Sequence, residues 1–104
     1  MAESAVQKWV RDKLENRYAG RIYLFKVPQG QYTSRRGIPD LVAGIGGRFY
    51  AFEIKTDSGK LTPLQSHEIT KINKAGSTAV VIYGKDEAML NAIFRQIDSE
   101  INPV

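Results

Sequence analysis

The chain predicts an α/β fold, a mixed sheet flanked by helices in the order α-β-β-β-α-β-α. Apolar residues recur at helical spacing near both ends, while short runs rich in aliphatic and aromatic side chains lie between turn-forming glycines in the middle. A helix-length segment also separates the third such run from the fourth, long enough for a parallel crossover. Helices on a mixed sheet give a layered α/β arrangement. With 104 residues and no internal repeat, low-complexity tract or linker, residues 1–104 read as one domain.

Residues 3–18 read as a helix, because Val6, Trp9, Val10 and Leu14 form an apolar stripe that Tyr18 continues, and Gly20 stops it. Residues 22–27 read as a strand. Pro28 to Gly37 is the longest stretch without a pattern, and long loops in compact domains are often functional. A second strand runs from Pro39 or Asp40 to Ile45, Gly46-Gly47 makes a hairpin turn, and Arg48 to Lys55 is the third strand. Thr62 is placed to cap a helix, with Pro63 at its first position and Gln65 completing a capping box. That helix ends near Ala75, before Gly76. The continuous apolar run at 79–83 predicts a strand buried on both faces. Asp86 caps the last helix, whose stripe is Met89, Leu90, Ile93, Phe94 and Ile97.

Composition removes several classes of function. There is no cysteine, so neither a disulfide framework nor a cysteine zinc site is available, which fits a reducing cytoplasm. No apolar run approaches the ~20 residues that span a bilayer. The opening Met-Ala-Glu-Ser lacks the basic and apolar blocks of a secretion signal, so a cytoplasmic protein with no membrane role is expected. Lys and Arg number 15 against 11 Asp and Glu, a net charge of +4. That balance admits nucleic acid, an anionic membrane or an acidic partner and does not choose among them.

The choice comes from Gly37-Ile38-Pro39-Asp40 and Phe52-Glu53-Ile54-Lys55. Side chains alternate along a strand, so Glu53 and Lys55 share a face. Asp40 falls near the open end of the same hairpin, where a twist or small register adjustment can set it beside Glu53. Two carboxylates that close need a cation, and Mg²⁺, which binds through one or two carboxylates plus water and phosphate, is the expected one, with Mn²⁺ able to substitute. The main-chain carbonyl of Ile54 can add an oxygen. Asp40 alone could cap a turn after Pro39, and Glu53 alone could pair with Lys55 on a solvated face. Both together, on either side of one hairpin, point to a metal-dependent site that cuts phosphodiesters.

Gly-x-Pro-Asp, then Glu-x-Lys, then a Gln on the next helix resembles the VRR-NUC family, a branch of the PD-(D/E)xK nucleases. The matching residues are Gly37, Pro39, Asp40, Glu53, Lys55 and Gln65, with Glu3 similar to a carboxylate on the family's first helix. The resemblance implies a restriction-endonuclease-like fold, in which Asp40, Glu53, the Ile54 carbonyl and Glu3 hold the metal. It implies that Lys55 positions or helps deprotonate a water, or neutralises the scissile phosphate. For Gln65 it implies an active-site contact, beside the capping role that the sequence already explains. Glu3 likewise has an ordinary role, as an acidic residue in a first helical turn. His67, two residues beyond Gln65, faces another way and is expected at the surface or at the edge of DNA.

Lys26, Gln31, Tyr32, Arg35 and Arg36 flank the aspartate motif, and Lys60 precedes the second helix. Guanidinium groups suit phosphate, and Tyr32 can stack on an exposed base. No spacing among them suits base-specific reading, so recognition by DNA shape is expected. Standalone members of the resembled family imply a homodimer on four-way junctions, because paired cuts need two sites and one short chain supplies one. The sequence reading is therefore a metal-dependent DNA endonuclease resolving Holliday junctions or similar branched DNA, in a bacterial or phage-infected cell. Its rivals are a less selective nickase or flap nuclease and a catalytically silent DNA-binding module.

Overall fold

The computed structural model describes residues 2–29 and 35–103. Gln31 and Tyr32 lie outside the described residues. Seven elements follow in the expected order: α1 (Glu3–Arg17), β1 (Ile22–Lys26), β2 (Leu41–Ile45), β3 (Arg48–Lys55), α2 (Pro63–Lys74), β4 (Thr78–Tyr83) and α3 (Glu87–Ile101). The strands form one sheet in the order β1-β2-β3-β4. The first two neighbours are antiparallel, and β3 and β4 are parallel across the α2 crossover.

Strand alternation sorts the sheet into two unlike faces. Leu41, Ala43, Ile45, Tyr50, Phe52, Ile54 and Ile82 point to one side, where they pack with Val6, Val10 and Leu14 of α1 and with Leu90, Ile93, Phe94, Ile97 and Ile101 of α3. This is the main core. The α1 stripe is Val6, Val10, Leu14 and Tyr18, with Trp9 only partly covered at its edge. The Tyr18 hydroxyl donates to Asp98 Oδ1 at 2.8 Å, tying α1 to α3. The opposite face carries Ala51, Glu53 and Lys55, and α2 lies over its β3–β4 half.

One expectation about burial is corrected. The apolar run at 79–83 is an edge strand, with Ala79 and Ile82 buried and Val80, Val81 and Tyr83 only partly so. The strand covered on both sides is β3, where Tyr50 through Ile54 are all buried. A central strand needs both faces apolar only where both are covered by apolar partners, and the second face of β3 carries Glu53 instead. Apolar content in sequence therefore misplaced the sheet's centre.

Turn and cap chemistry agree with sequence. Gly46 and Gly47 both have positive φ, 55° and 86°, which gives a two-residue hairpin pairing Ile45 with Arg48. The Thr62 hydroxyl accepts from Gln65 N at 3.1 Å, and Gln65 Oε1 accepts from Thr62 N at 2.9 Å. Asp86 Oδ1 accepts from Met89 N at 3.0 Å to start α3.

Candidate active site

The hairpin register brings the two carboxylates together without adjustment. Leu41 pairs with Phe52, so the next position outward sets Asp40 opposite Glu53, with both side chains on the α2 face. Proline shapes the bonds at this point. A continued ladder would pair residue 39 with Ile54, but Pro39 has no N–H to return to the Ile54 carbonyl. The Ile54 N–H donates instead to Asp40 Oδ2 at 2.8 Å. In an antiparallel strand the N–H and C=O of one residue leave the same edge. The Ile54 carbonyl therefore points to the side where Asp40 sits, with no ladder donor opposite it. Asp40 is itself fixed on its other side, since Val27 N donates to its carbonyl at 2.9 Å.

Glu53 is only 1% exposed, and its Oε1 has no hydrogen-bond donor among the described residues. Gln65 Nε2 reaches its other oxygen, Oε2, at 3.3 Å. The side chain of Gln65 thus performs both roles that the sequence offered, its carbonyl capping α2 and its amide touching the site. Burial raises the Glu53 carboxyl from its ordinary 4.5 to about 8, with the charge and hydrogen-bonding reach of Asp40 adding to the rise. The charge of Lys55 opposes that rise and the charge of Glu3 adds to it. Glu3 is partly covered at the start of α1, and Lys55 is half-buried at the end of β3.

Gly37 seats this motif on α2. Its φ is +83°, and a Cβ there would fall 2.6 Å from the main-chain carbon and oxygen of Leu64 and 2.9 Å from Gln65 N. The first turn of α2 therefore lies directly against the Gly37–Asp40 segment.

Among the expected cation contacts, Lys26, Arg36 and Lys60 are exposed, as is His67. Arg35 is engaged differently, its guanidinium pairing with Glu68 at 2.7 Å. Glu68 is 8% exposed and was not singled out by sequence. A signal was present, because Gln65, Glu68, Ile69 and Ile72 repeat at the i, i+3, i+4 spacing of the inward face of α2.

A divalent cation suits this donor set. Two buried carboxylates in mutual repulsion, one with an orphaned oxygen, match the few protein ligands that Mg²⁺ takes. No group of three or more His, Asp or Glu forms a metal cage among the described residues, so water and phosphate oxygens would have to complete the shell. Without a cation the pair makes stability depend on pH. Between 4.5 and about 8 the folded chain holds a proton at Glu53 that the unfolded chain has released. This contribution to stability is full below 4.5 and is lost as pH rises toward about 8. In EDTA the melting temperature is expected to fall across that window. Glu53→Gln should remove that part of the slope, and an unchanged slope in the variant would contradict the assignment.

A mixed four-stranded sheet flanked by helices in this order is the restriction-endonuclease-like fold, and here it carries paired carboxylates and a lysine at the end of a central strand. A family model described as archaeal Holliday junction resolvase (Hjc) matches residues 23–96, and the chain belongs to that family. Three solved chains match. One is Hjc from Archaeoglobus fulgidus, a Holliday junction resolvase from an archaeal hyperthermophile, with TM-score 0.52 and 22% identity over 75% of this chain and 67% of that one. That likeness speaks for the fold. No curated protein matches. The family shown is thus the archaeal resolvase family, whereas the motifs alone resembled the VRR-NUC branch.

Proposed function

We propose that the protein is a metal-dependent endonuclease that resolves four-way DNA junctions as a homodimer. The observation that carries the reading is the Asp40–Glu53 pair, buried and mutually repelling, with an orphaned Glu53 oxygen. A silent DNA-binding module gains nothing from such a pair, which costs stability at neutral pH. Membership of the resolvase family supports branched DNA as the substrate. The Gly37, Pro39, Asp40, Glu53, Lys55 and Gln65 pattern supports a place near the VRR-NUC branch within the wider superfamily.

Asp40, Glu53 and the Ile54 carbonyl would hold Mg²⁺ or Mn²⁺, with Glu3 available as a further carboxylate. When bound, the cation neutralises charge on the phosphate and lowers the pKa of a nearby water. Lys55 shares the face of Glu53, so its ammonium can orient the attacking water and screen a phosphate oxygen. The amide of Gln65 limits the freedom of Glu53. Hydrolysis would form a bond from water oxygen to phosphorus as the in-line bond to one ester oxygen breaks, the water giving up a proton to solvent and the leaving oxygen taking one from it. Lys26, Arg36 and Lys60 are exposed, which supports a role for them in sequence-independent backbone contacts.

The sheet face beside the site supports a second copy. Over β1 and β2 it is not covered by α2, leaving Tyr23, Phe25 and Phe49 at 76, 48 and 45% exposure. Tyr23, Gly44 and Phe49 align across three strands, forming an apolar patch of the kind that marks interfaces.

The test is cleavage of a labelled synthetic four-way junction and a matched linear duplex, each with Mg²⁺, Mn²⁺ or EDTA, with sedimentation of the same protein. Paired, metal-dependent cuts on the junction alone by a dimer are expected. Equal cutting of the duplex would demote the protein to a general nuclease, and tight junction binding without cleavage would favour the silent module.

A further inference from the structure

The first two turns of α2 touch the site three times. The backbone of Leu64 and Gln65 seats Gly37, the Gln65 amide reaches Glu53, and Glu68 pairs with Arg35 just ahead of Gly37. The third contact is the least expected. Glu68 is one of three buried polar or charged residues among those described, and the other two are Asp40 and Glu53. A carboxylate is withdrawn from water at a cost unless it is paired, and here the partner is a guanidinium with 58% of its side chain exposed. An exposed arginine free to meet DNA does not need a buried acid beneath it.

We propose that Arg35 and Glu68 form a latch that positions Asp40, so that Arg35 serves the metal site instead of a DNA phosphate. The latch holds the chain at residue 35, the glycine contact holds it at 37, and the Ile54 N–H holds Asp40 at 40. With the first anchor gone, the segment is held only by the Gly37 contact and by the bonds of Asp40 to Ile54 and Val27, and Asp40 fluctuates more widely about its place beside Glu53. Arg35 and Glu68 touch no reacting atom; they are positioning residues. The proposal rests on the nuclease reading for its consequence in catalysis but not for its structural content.

Arg35→Gln, Glu68→Gln and the double variant test it. Outer residues that orient metal ligands cost about 10- to 100-fold in metal affinity or activity when changed. Each single variant is expected to lower kcat on the junction by that range and to raise the Mn²⁺ concentration at half-saturation. The double variant should lose no more than either single one, because the pair acts as a unit. In EDTA, exchange of the Ile54 amide hydrogen should quicken in all three relative to core amides such as that of Ile82. This readout stands even if the protein cuts no DNA, which separates failure of the latch from failure of the nuclease reading. A higher KM for junction with unchanged kcat in Arg35→Gln, and a silent Glu68→Gln, would make Arg35 a phosphate contact and overturn the latch. Additive losses, or wild-type exchange at Ile54, would overturn it equally. Arg35→Gln alters the more exposed partner, so wild-type Ile54 exchange in that variant decides against the proposal if Glu68→Gln does not fold.

Discussion

Exchanging Asp40 for Asn is expected to lower junction cleavage by about a thousandfold or more while the fold persists. A Lewis-acidic cation contributes several kcal/mol of transition-state stabilisation, and each 1.36 kcal/mol is tenfold in rate. Loss of about 4 kcal/mol therefore suffices. The fold should hold because an asparagine oxygen can still accept from Ile54 N, the bond that Asp40 makes at 2.8 Å. Glu53→Gln should lose cleavage to a similar extent for the opposite structural reason. Its carboxylate is buried, raised to about 8 and short of one donor, so the neutral amide relieves repulsion with Asp40. Above about pH 8 the metal-free variant should melt higher than the wild type, a gain of stability with loss of function. Single-turnover cleavage with Mg²⁺ and melting curves in EDTA measure the two effects. Asp40→Asn cutting within tenfold of the wild type would remove it from the metal set.

The contrast shows what the chain reveals and what it conceals. All seven elements are readable because each carries a local signal, such as the Thr62-Pro63-x-Gln65 cap or the Gly46-Gly47 turn. The facing of Asp40 and Glu53 follows from the two-residue turn alone, since every later pair is then fixed. Burial was harder to read. Apolar content placed the doubly covered strand at 79–83, but coverage depends on which strand α2 crosses after the sheet forms. Gln65 presented a choice between cap and site that disappears in space, because its two terminal atoms serve different partners. Glu68 escaped attention because a charged residue in a helix is ordinarily solvated; only the helical phase of its neighbours marks it as inward. Pro39 had a turn reading at first, and its missing N–H acquires meaning only opposite Ile54.

Gly37→Ala should be the most damaging substitution outside the carboxylates, and two other glycines separate its causes. At Gly44, φ is not in the left-handed region and a Cβ would meet nothing of its own chain within 4 Å, so alanine should change the stability of the separate chain by no more than about 0.5 kcal/mol. At Gly20, φ is +81° with open space around it, so alanine incurs the conformational term alone, roughly 1–2 kcal/mol. Gly37 combines φ +83° with a Cβ at 2.6 Å from the Leu64 backbone, and helix backbone cannot rotate aside as a side chain can. Strain and overpacking each contribute about 1–3 kcal/mol, so a loss of roughly 2–6 kcal/mol is expected. Whatever relief is found must come from moving α2 away from the motif, which carries the Gln65 amide away from Glu53 or Asp40 away from Ile54. A displacement of about 1 Å is enough for a hundredfold loss of rate. Gly37→Ala should therefore lose cleavage even at temperatures where it remains folded, whereas Gly20→Ala should lose stability only. Melting curves and cleavage rates on the same three variants decide it: a Gly37→Ala enzyme that is destabilised but cuts like the wild type would show that α2 and the Asp40–Glu53 pair are not coupled through this contact.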